Sequence, residues 1–205
     1  MSQRSPLKDE PVQDPGRYPT VSSRTVFEGH VVSLRQDEVQ MSDGSTGVRD
    51  VVVHPGAVAV IALDEHDRVV MLRQYRHPVR QYLWEVPAGI KDVVGEPLIE
   101  TARRELAEEA GLRARRWDRL LDFLASPGGS TEEVTIFLAR DLSAVARPTD
   151  FVVSAEELDM EVRRVPLAEA QSAVQEGRIR NSIVAAGILA VAAAKAASWQ
   201  GLRPA

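Results

Sequence analysis

Apolar residues in this chain fall mostly into short β-branched runs divided by polar, Gly- or Pro-bearing clusters, and only one mid-chain segment switches to helical spacing. "TVFEGHVVSLRQDEVQM" (25 to 41) and "GVRDVVVH" (47 to 54) are joined by "SDGST", whose Asp43-Gly44 is a turn signal, so a hairpin is predicted. "AVAVIAL" (57 to 63) and "RVVMLRQYR" (68 to 76) flank the polar tip "DEHD" and predict a second hairpin, apolar enough to be buried on both faces. "YLWEVPAGI" follows as a short strand running into a loop. From about Pro97 to Ala110, Ile99, Ala102, Leu106 and Ala110 share one face at 100° per residue and predict a helix, with Gly111 placed for a left-handed cap. Beyond it, "WDRLLDFLA" and "EVTIFLARDL" read as strands around the turn "SPGGSTE". "MEVRRVP" is a last strand, and two helices follow, "LAEAQSAVQEG" and roughly Ser182 to Ser198, with Gly177 as the stop between them.

Strands interrupted by one helix and closed by two predict an α/β fold with a mixed sheet packed between helices. The 205 residues suit one globular domain, at about 57 to 198, with an N-terminal β arm at about 21 to 54. Residues 1 to 20, polar and Pro-rich without an apolar core, read as a disordered leader and not as a signal peptide. The most apolar run, Ile183 to Ala194, is well short of the ~20 residues that span a bilayer. No membrane span is expected. With 30 acidic and 25 basic residues the net charge is -5, which argues against general nucleic-acid binding. Absence of Cys excludes disulfides, thiolate catalysis and Cys-based zinc sites, and fits a cytoplasmic location. The four His, at 30, 54, 66 and 77, lack metal-ligand spacing and read as structural or surface groups.

The predicted helix carries its charges against its dipole. In "RRELAEEAGL" (103 to 112), Glu108 and Glu109 stand at the negative C-terminal end and Arg103 and Arg104 further back, each forgoing or losing roughly 0.3–1 kcal/mol. Glu105, Glu108 and Glu109 share a face beside the apolar stripe, where three like charges repel unless neutralised. One explanation is a salt-bridged surface helix, since Glu100 with Arg104 and Arg104 with Glu108 are four apart. The other is a site for Mg²⁺ or Mn²⁺, which take oxygen ligands and bind through carboxylates together with substrate phosphates.

"GIKDVVGEPLIETARRELAEEAGL" (89 to 112) resembles the Nudix box, with Arg104, Glu105, Leu106, Glu108, Glu109, Gly111 and Leu112 at the family spacing from Glu96. Gly89 precedes Glu96 by seven positions where the usual pattern has six. The resemblance implies hydrolysis of a nucleoside diphosphate linked to another moiety, with Mg²⁺ or Mn²⁺ held by Glu105 and Glu109, Glu108 as a third or bridging acid, and Arg104 orienting the carboxylates. It also implies the Ala88 carbonyl as a backbone ligand.

Further segments resemble the ADP-ribose pyrophosphatase branch. "PGGSTEE" (127 to 133) matches its Pro-Gly-x-Ser-x-Glu pattern, implying that Pro127, Gly128, Gly129 and Ser130 approach the substrate and Glu132 tunes the metal shell. "RQYRH" (73 to 77) makes Arg76 a contact for the phosphate or terminal ribose, and "VRDVV" makes Arg49 a contact for adenine; Phe27 reads as a packing residue, with an aromatic face for the base as the other reading. "SAEELDM" (154 to 160) resembles the acidic loop carrying the catalytic base, here Glu157 or, as the alternative, Glu156. The branch also implies a homodimer formed through exchanged N-terminal arms. The expected reaction is ADP-ribose plus water giving AMP and ribose 5-phosphate; the rivals are hydrolysis of another nucleoside diphosphate sugar and a non-catalytic ADP-ribose sensor.

Overall fold

Every residue of Ala57–Ala62 is buried, and its side chains alternate between two separate cores. That alternation follows from the pleat: a β-branched run without polar positions must be covered on both faces. The computed structural model describes residues 18–147 and 160–205. The chain divides into two units, Met1–Val52 and Val53–Ala205.

In the first unit, β1 (Thr20–Glu28), β2 (Ser33–Gln40) and β3 (Thr46–Val53) form a three-stranded sheet in that order. The single segment expected over 25 to 41 is therefore two antiparallel strands. Its β-branched continuity hides a reverse turn at Gly29, whose N–H donates to the Val32 carbonyl at 2.9 Å.

The second unit begins with β4 (Ala57–Ala62) and β5 (Arg68–Arg76). A 3₁₀ turn (His77–Val79) leads to β6 (Gln81–Glu85) and β7 (Ala88–Ile90), then α1 (Leu98–Ala110). β8 (Leu112–Leu124), β9 (Glu133–Ala144), β10 (Glu161–Pro166), α2 (Leu167–Gln175), α3 (Ser182–Ala196) and the short β11 (Arg203–Pro204) complete it. A five-stranded sheet has the order β11-β8-β9-β4-β7, mixed because β4 and β9 run parallel, and a three-stranded antiparallel sheet has the order β10-β5-β6.

The second predicted hairpin is thus corrected: β4 and β5 belong to different sheets, linked where they part by the bridge Leu63 to Val69. Asp64 turns the corner. Its Oδ1 accepts the backbone N–H groups of His66 (3.0 Å) and Arg68 (2.9 Å), and Oδ2 accepts Arg68 Nε at 2.9 Å and Arg164 at 3.3 Å.

Val58, Val60 and Ala62 pack with Ala102 and Leu106 of α1, whereas Ala59 and Ile61 pack with Val184 and Ile188 of α3. The mixed sheet therefore lies between α1 on one face and α2 and α3 on the other. α3 approaches closely because Gly187 lacks a side chain: a Cβ there would fall 2.7 Å from Ile61 Cδ1. No helix among the described residues is long and apolar enough to cross a membrane.

Candidate active site

Helix α1 buries Thr101, Ala102, Leu106 and Glu109, and Ile99 and Ala110 border the same core. Pro97 precedes its first turn without a side-chain cap, and Thr101 Oγ1 donates to Glu96 Oε2 at 2.7 Å, tying the incoming loop to the helix. Gly111 closes it at φ +62°, its N–H reaching the Ala107 carbonyl at 3.0 Å. The last turn has no basic residue of its own, but Arg147 donates to the Glu109 carbonyl at 2.9 Å and so supplies the missing positive end from outside the helix.

Arg104 is the hub of the acidic face. It donates to Glu105 Oε1 at 2.8 Å and Glu108 Oε2 at 3.5 Å, and its other amino group stands 3.6 Å from both Asp92 and Glu96. Burial disfavours its charge, yet the carboxylates of Glu105, Glu108, Glu96 and Asp92 outweigh that and raise its pKa. Glu100 pairs with Arg103 at 2.6 Å, not with Arg104, so the expected salt-bridge ladder along the helix is only half present. Between Gly89 and Glu96, the interval one residue longer than usual, the chain turns outward at the exposed Val93 and Val94 and closes with Glu96 N–H on the Val93 carbonyl at 3.2 Å. Glu96 thereby reaches Arg104.

Two backbone contacts connect this helix to β7. Ala88 N–H donates to Glu109 Oε2 at 2.9 Å. Glu105 lies flush against Gly89, where a Cβ would fall 2.1 Å from Oε1 and 2.4 Å from Cδ; only glycine leaves room for that carboxylate. Burial pushes the Glu105 pKa up to about 7, the Arg104 charge pulls against it, and the like charges of Glu108 and Asp92 push further. Among the described residues, no three carboxylate or imidazole groups converge into a ready-made cage.

On the other side of Ala88 and Gly89 opens a cleft of about 530 Å³, bordered also by His54, Arg76, Glu85, Glu132 and Asn181. Arg76 is held by two bonds to buried Glu85, Nε to Oε1 at 2.9 Å and the terminal amino group to Oε2 at 2.6 Å. Asn181 caps α3 with its Oδ1 and uses its Nδ2 to bond Glu85 at 3.1 Å. Pro127, Gly128, Gly129 and Ser130 form the β8–β9 turn, closed by Ser130 N–H on the Ser126 carbonyl at 2.9 Å, and Thr131 fastens it to His54. Of that turn, Glu132 borders the cleft. Arg49 lies on β3 of the first unit, donating to the Val48 carbonyl at 2.9 Å, and Phe27 is exposed on β1. Glu156 and Glu157 lie outside the described residues.

Glu85, Asn181, Asp92 and His54 went unmarked in the sequence reading as site residues. Asn181 had a local signal, a cap residue before an apolar run; a single Glu ending a strand has none.

The NUDIX domain family matches residues 53–185, and the nucleoside diphosphate sugar hydrolase N-terminal domain matches residues 19–52. The chain is 46% identical over 174 residues to an ADP-ribose pyrophosphatase of Mycobacterium tuberculosis, covering 85% of this chain and 83% of that one. It is 35% identical over 163 residues to a methanol dehydrogenase activator of Bacillus methanolicus, covering 80% and 86%. The crystal structure of an ADP compounds hydrolase superposes with a TM-score of 0.76 over 89% of this chain and 97% of its own at 21% identity, a likeness of fold. The domain match spans the carboxylate helix, the glycine beneath it and the cleft beside them, and the chain belongs to the Nudix family.

Proposed function

We propose that this chain hydrolyses the diphosphate of ADP-ribose, giving AMP and ribose 5-phosphate. Supporting the reading is one spatial relation: Ala88 and Gly89 carry Glu109 and Glu105 on one side and border the Arg76 cleft on the other. The M. tuberculosis relative bears the name of that activity.

Mg²⁺ or Mn²⁺ fits the donor set, which is all oxygen: Glu105, Glu109, Glu108 and the Ala88 carbonyl would hold it. Mg²⁺ needs only one or two carboxylates when substrate phosphates and waters complete its shell, so a preformed three-carboxylate cage is unnecessary. When bound, the cation neutralises the diphosphate and acidifies the attacking water. Arg104 keeps Glu105 and Glu108 apart and oriented, and the Gly89 backbone fixes where Glu105 can lie. Arg76, locked by Glu85, aims charge-assisted N–H donors at phosphate or ribose oxygens. Glu157, or Glu156 in its place, takes the proton from water as its oxygen attacks phosphorus and the P–O bond to the leaving phosphate breaks. Pro127, Gly128, Gly129 and Ser130 bring backbone toward the substrate, and Glu132, bordering the cleft, would tune the shell of the cation.

Arg49 of the first unit stacks on adenine in this reading. Val21, Phe27 and Val48 are 58, 60 and 58% exposed on that unit's sheet, which supports a homodimer in which the arm finds a second copy. The net charge of -5 supports a small-molecule partner over nucleic acid, and a cytoplasmic location belongs to the same reading.

The test is a panel of ADP-ribose, other ADP-sugars and GDP-sugars with Mg²⁺, following nucleoside monophosphate release. ADP-ribose should give the highest kcat/KM. Faster turnover of a GDP-sugar overturns the specificity, and binding of ADP-ribose without cleavage overturns the activity.

A further inference from the structure

We propose that His54 is a ligand-binding residue of this cleft, donating a hydrogen bond from Nε2 to an oxygen of the bound nucleoside diphosphate sugar. The inference rests on the hydrolase reading above. In sequence His54 is an isolated imidazole ending a strand. In the structure it borders the cleft with Ala88, Gly89, Arg76 and Glu132.

Its ring is fixed in one protonation pattern. Nδ1 accepts the Gly56 N–H at 2.9 Å, so that nitrogen carries no proton and the ring's own proton resides on Nε2. Gly56 is held in turn: its carbonyl accepts the Lys91 N–H at 3.0 Å, and its φ of +90° is one that glycine adopts without strain. The backbone of His54 is pinned as well, its N–H donating to Thr131 Oγ1 at 3.0 Å and its carbonyl accepting from the same hydroxyl at 3.3 Å. Among the described residues Nε2 has no hydrogen-bond partner. A half-buried donor with three anchors on its own residue is preorganised for an acceptor that arrives from the cleft.

The donor is neutral, which separates its role from that of Arg76. A charged arginine suits the diphosphate; a neutral N–H suits any sugar hydroxyl or phosphate oxygen within reach. The common chemistry is an oxygen acceptor of the substrate.

Two substitutions separate the ring's two nitrogens. His54→Asn places an amide oxygen where Nδ1 stands, and Asn before Pro-Gly readily accepts the N–H two residues on, so the turn survives while the Nε2 donor is lost. His54→Gln keeps a donor near Nε2 and gives up the bond to Gly56. For ADP-ribose, His54→Asn should raise KM roughly fivefold or more, as loss of one hydrogen bond to a ligand does, with kcat and Tm little changed. His54→Gln should recover most of the KM and lower Tm. Product inhibition reads which oxygen is touched: weakened inhibition by AMP places it on the nucleotide half, weakened inhibition by ribose 5-phosphate on the other. An unchanged KM in His54→Asn, or a raised KM accompanied by an equal fall of Tm in both variants, overturns the inference. Wild-type protein inert toward every nucleoside diphosphate sugar overturns the hydrolase reading, and this one with it.

Discussion

Arg76 and Glu85 share a two-point ion pair across adjacent strands, 2.9 and 2.6 Å, with Glu85 buried and Arg76 bordering the cleft. The pairing fixes how Arg76 meets the cleft: the two bonds hold the plane of its guanidinium in one direction. Glu85→Gln keeps the shape and removes the charge that grips the guanidinium. It should raise KM for ADP-ribose roughly tenfold, in line with the loss of one charge-assisted bond, and affect kcat less. Arg76→Ala and the double variant should then raise KM by similar factors, because each removes the same oriented donor; additive losses in this cycle would show that Glu85 acts on its own.

Gly89 and Glu105 make a sharper demand. A methyl group at residue 89 would overlap the Glu105 carboxylate, whose side chain can swing away without disturbing the core. Gly89→Ala should therefore leave Tm nearly unchanged and lower kcat about a hundredfold, the scale expected when a catalytic group is displaced by ~1 Å. Circular dichroism melting and steady-state rates on one preparation check both halves, and an active Gly89→Ala protein removes Glu105 from the assigned ligand set.

The helix and its carboxylate face were legible because both are local: spacing at three and four residues states which side chains are neighbours, and a single glycine marks the end. The sheets were legible as strands but not as pairings. Burial on both faces of Ala57–Ala62 could be read from its unbroken apolar run, yet nothing local says that its neighbours are β7 and, in parallel, β9. The adjacent run Arg68–Arg76 looked like its hairpin partner, and only the bonds around Asp64 show the chain leaving one sheet for the other. The same limit hid the site's supports. Glu85 meets Asn181 across 96 residues, and Arg147 reaches back to Glu109 across 38.

The base assignment separates two adjacent acids. Glu157→Gln should lower kcat by a factor of about 10² or more with KM little changed, the range that proton transfer supplies, and Glu156→Gln should be nearly silent. A reversed pattern moves the base one residue earlier. Loss in neither variant removes it from this loop.

Asp64 ties the two sheets of the second unit together. Burial opposes its charge, but the N–H groups of Arg68 and His66 and the Arg68 guanidinium prevail, so its pKa lies below the usual 3.8. A carboxyl lowered on folding contributes stability above its unfolded pKa and loses it as pH falls through the folded value. Asp64→Asn should cost about 1–3 kcal/mol at neutral pH by urea unfolding, with the difference narrowing in acid. A constant difference at all pH values would assign the loss to shape, not charge.

Glu105 titrates in the opposite sense. Burial raises its pKa from 4.5 to about 7, so the folded apo-protein binds a proton that the unfolded chain releases. That contribution to stability is complete below pH 4.5 and disappears as pH climbs through 7. Glu105→Gln, which needs no proton, should match wild type at pH 4.5 in stability and exceed it at pH 8, while losing most activity. Cation binding requires the ionised carboxylate, so Mg²⁺ should raise the wild-type Tm more at pH 8 than at pH 6 and have little effect on Glu105→Gln. On the proposed ligand set the reversed charges of "RRELAEEAGL" have a physical account: the carboxylate that weakens the apo-fold would be the one that holds the ion. Equal Mg²⁺ shifts in wild type and Glu105→Gln would leave the charge pattern with Arg104 as its only purpose.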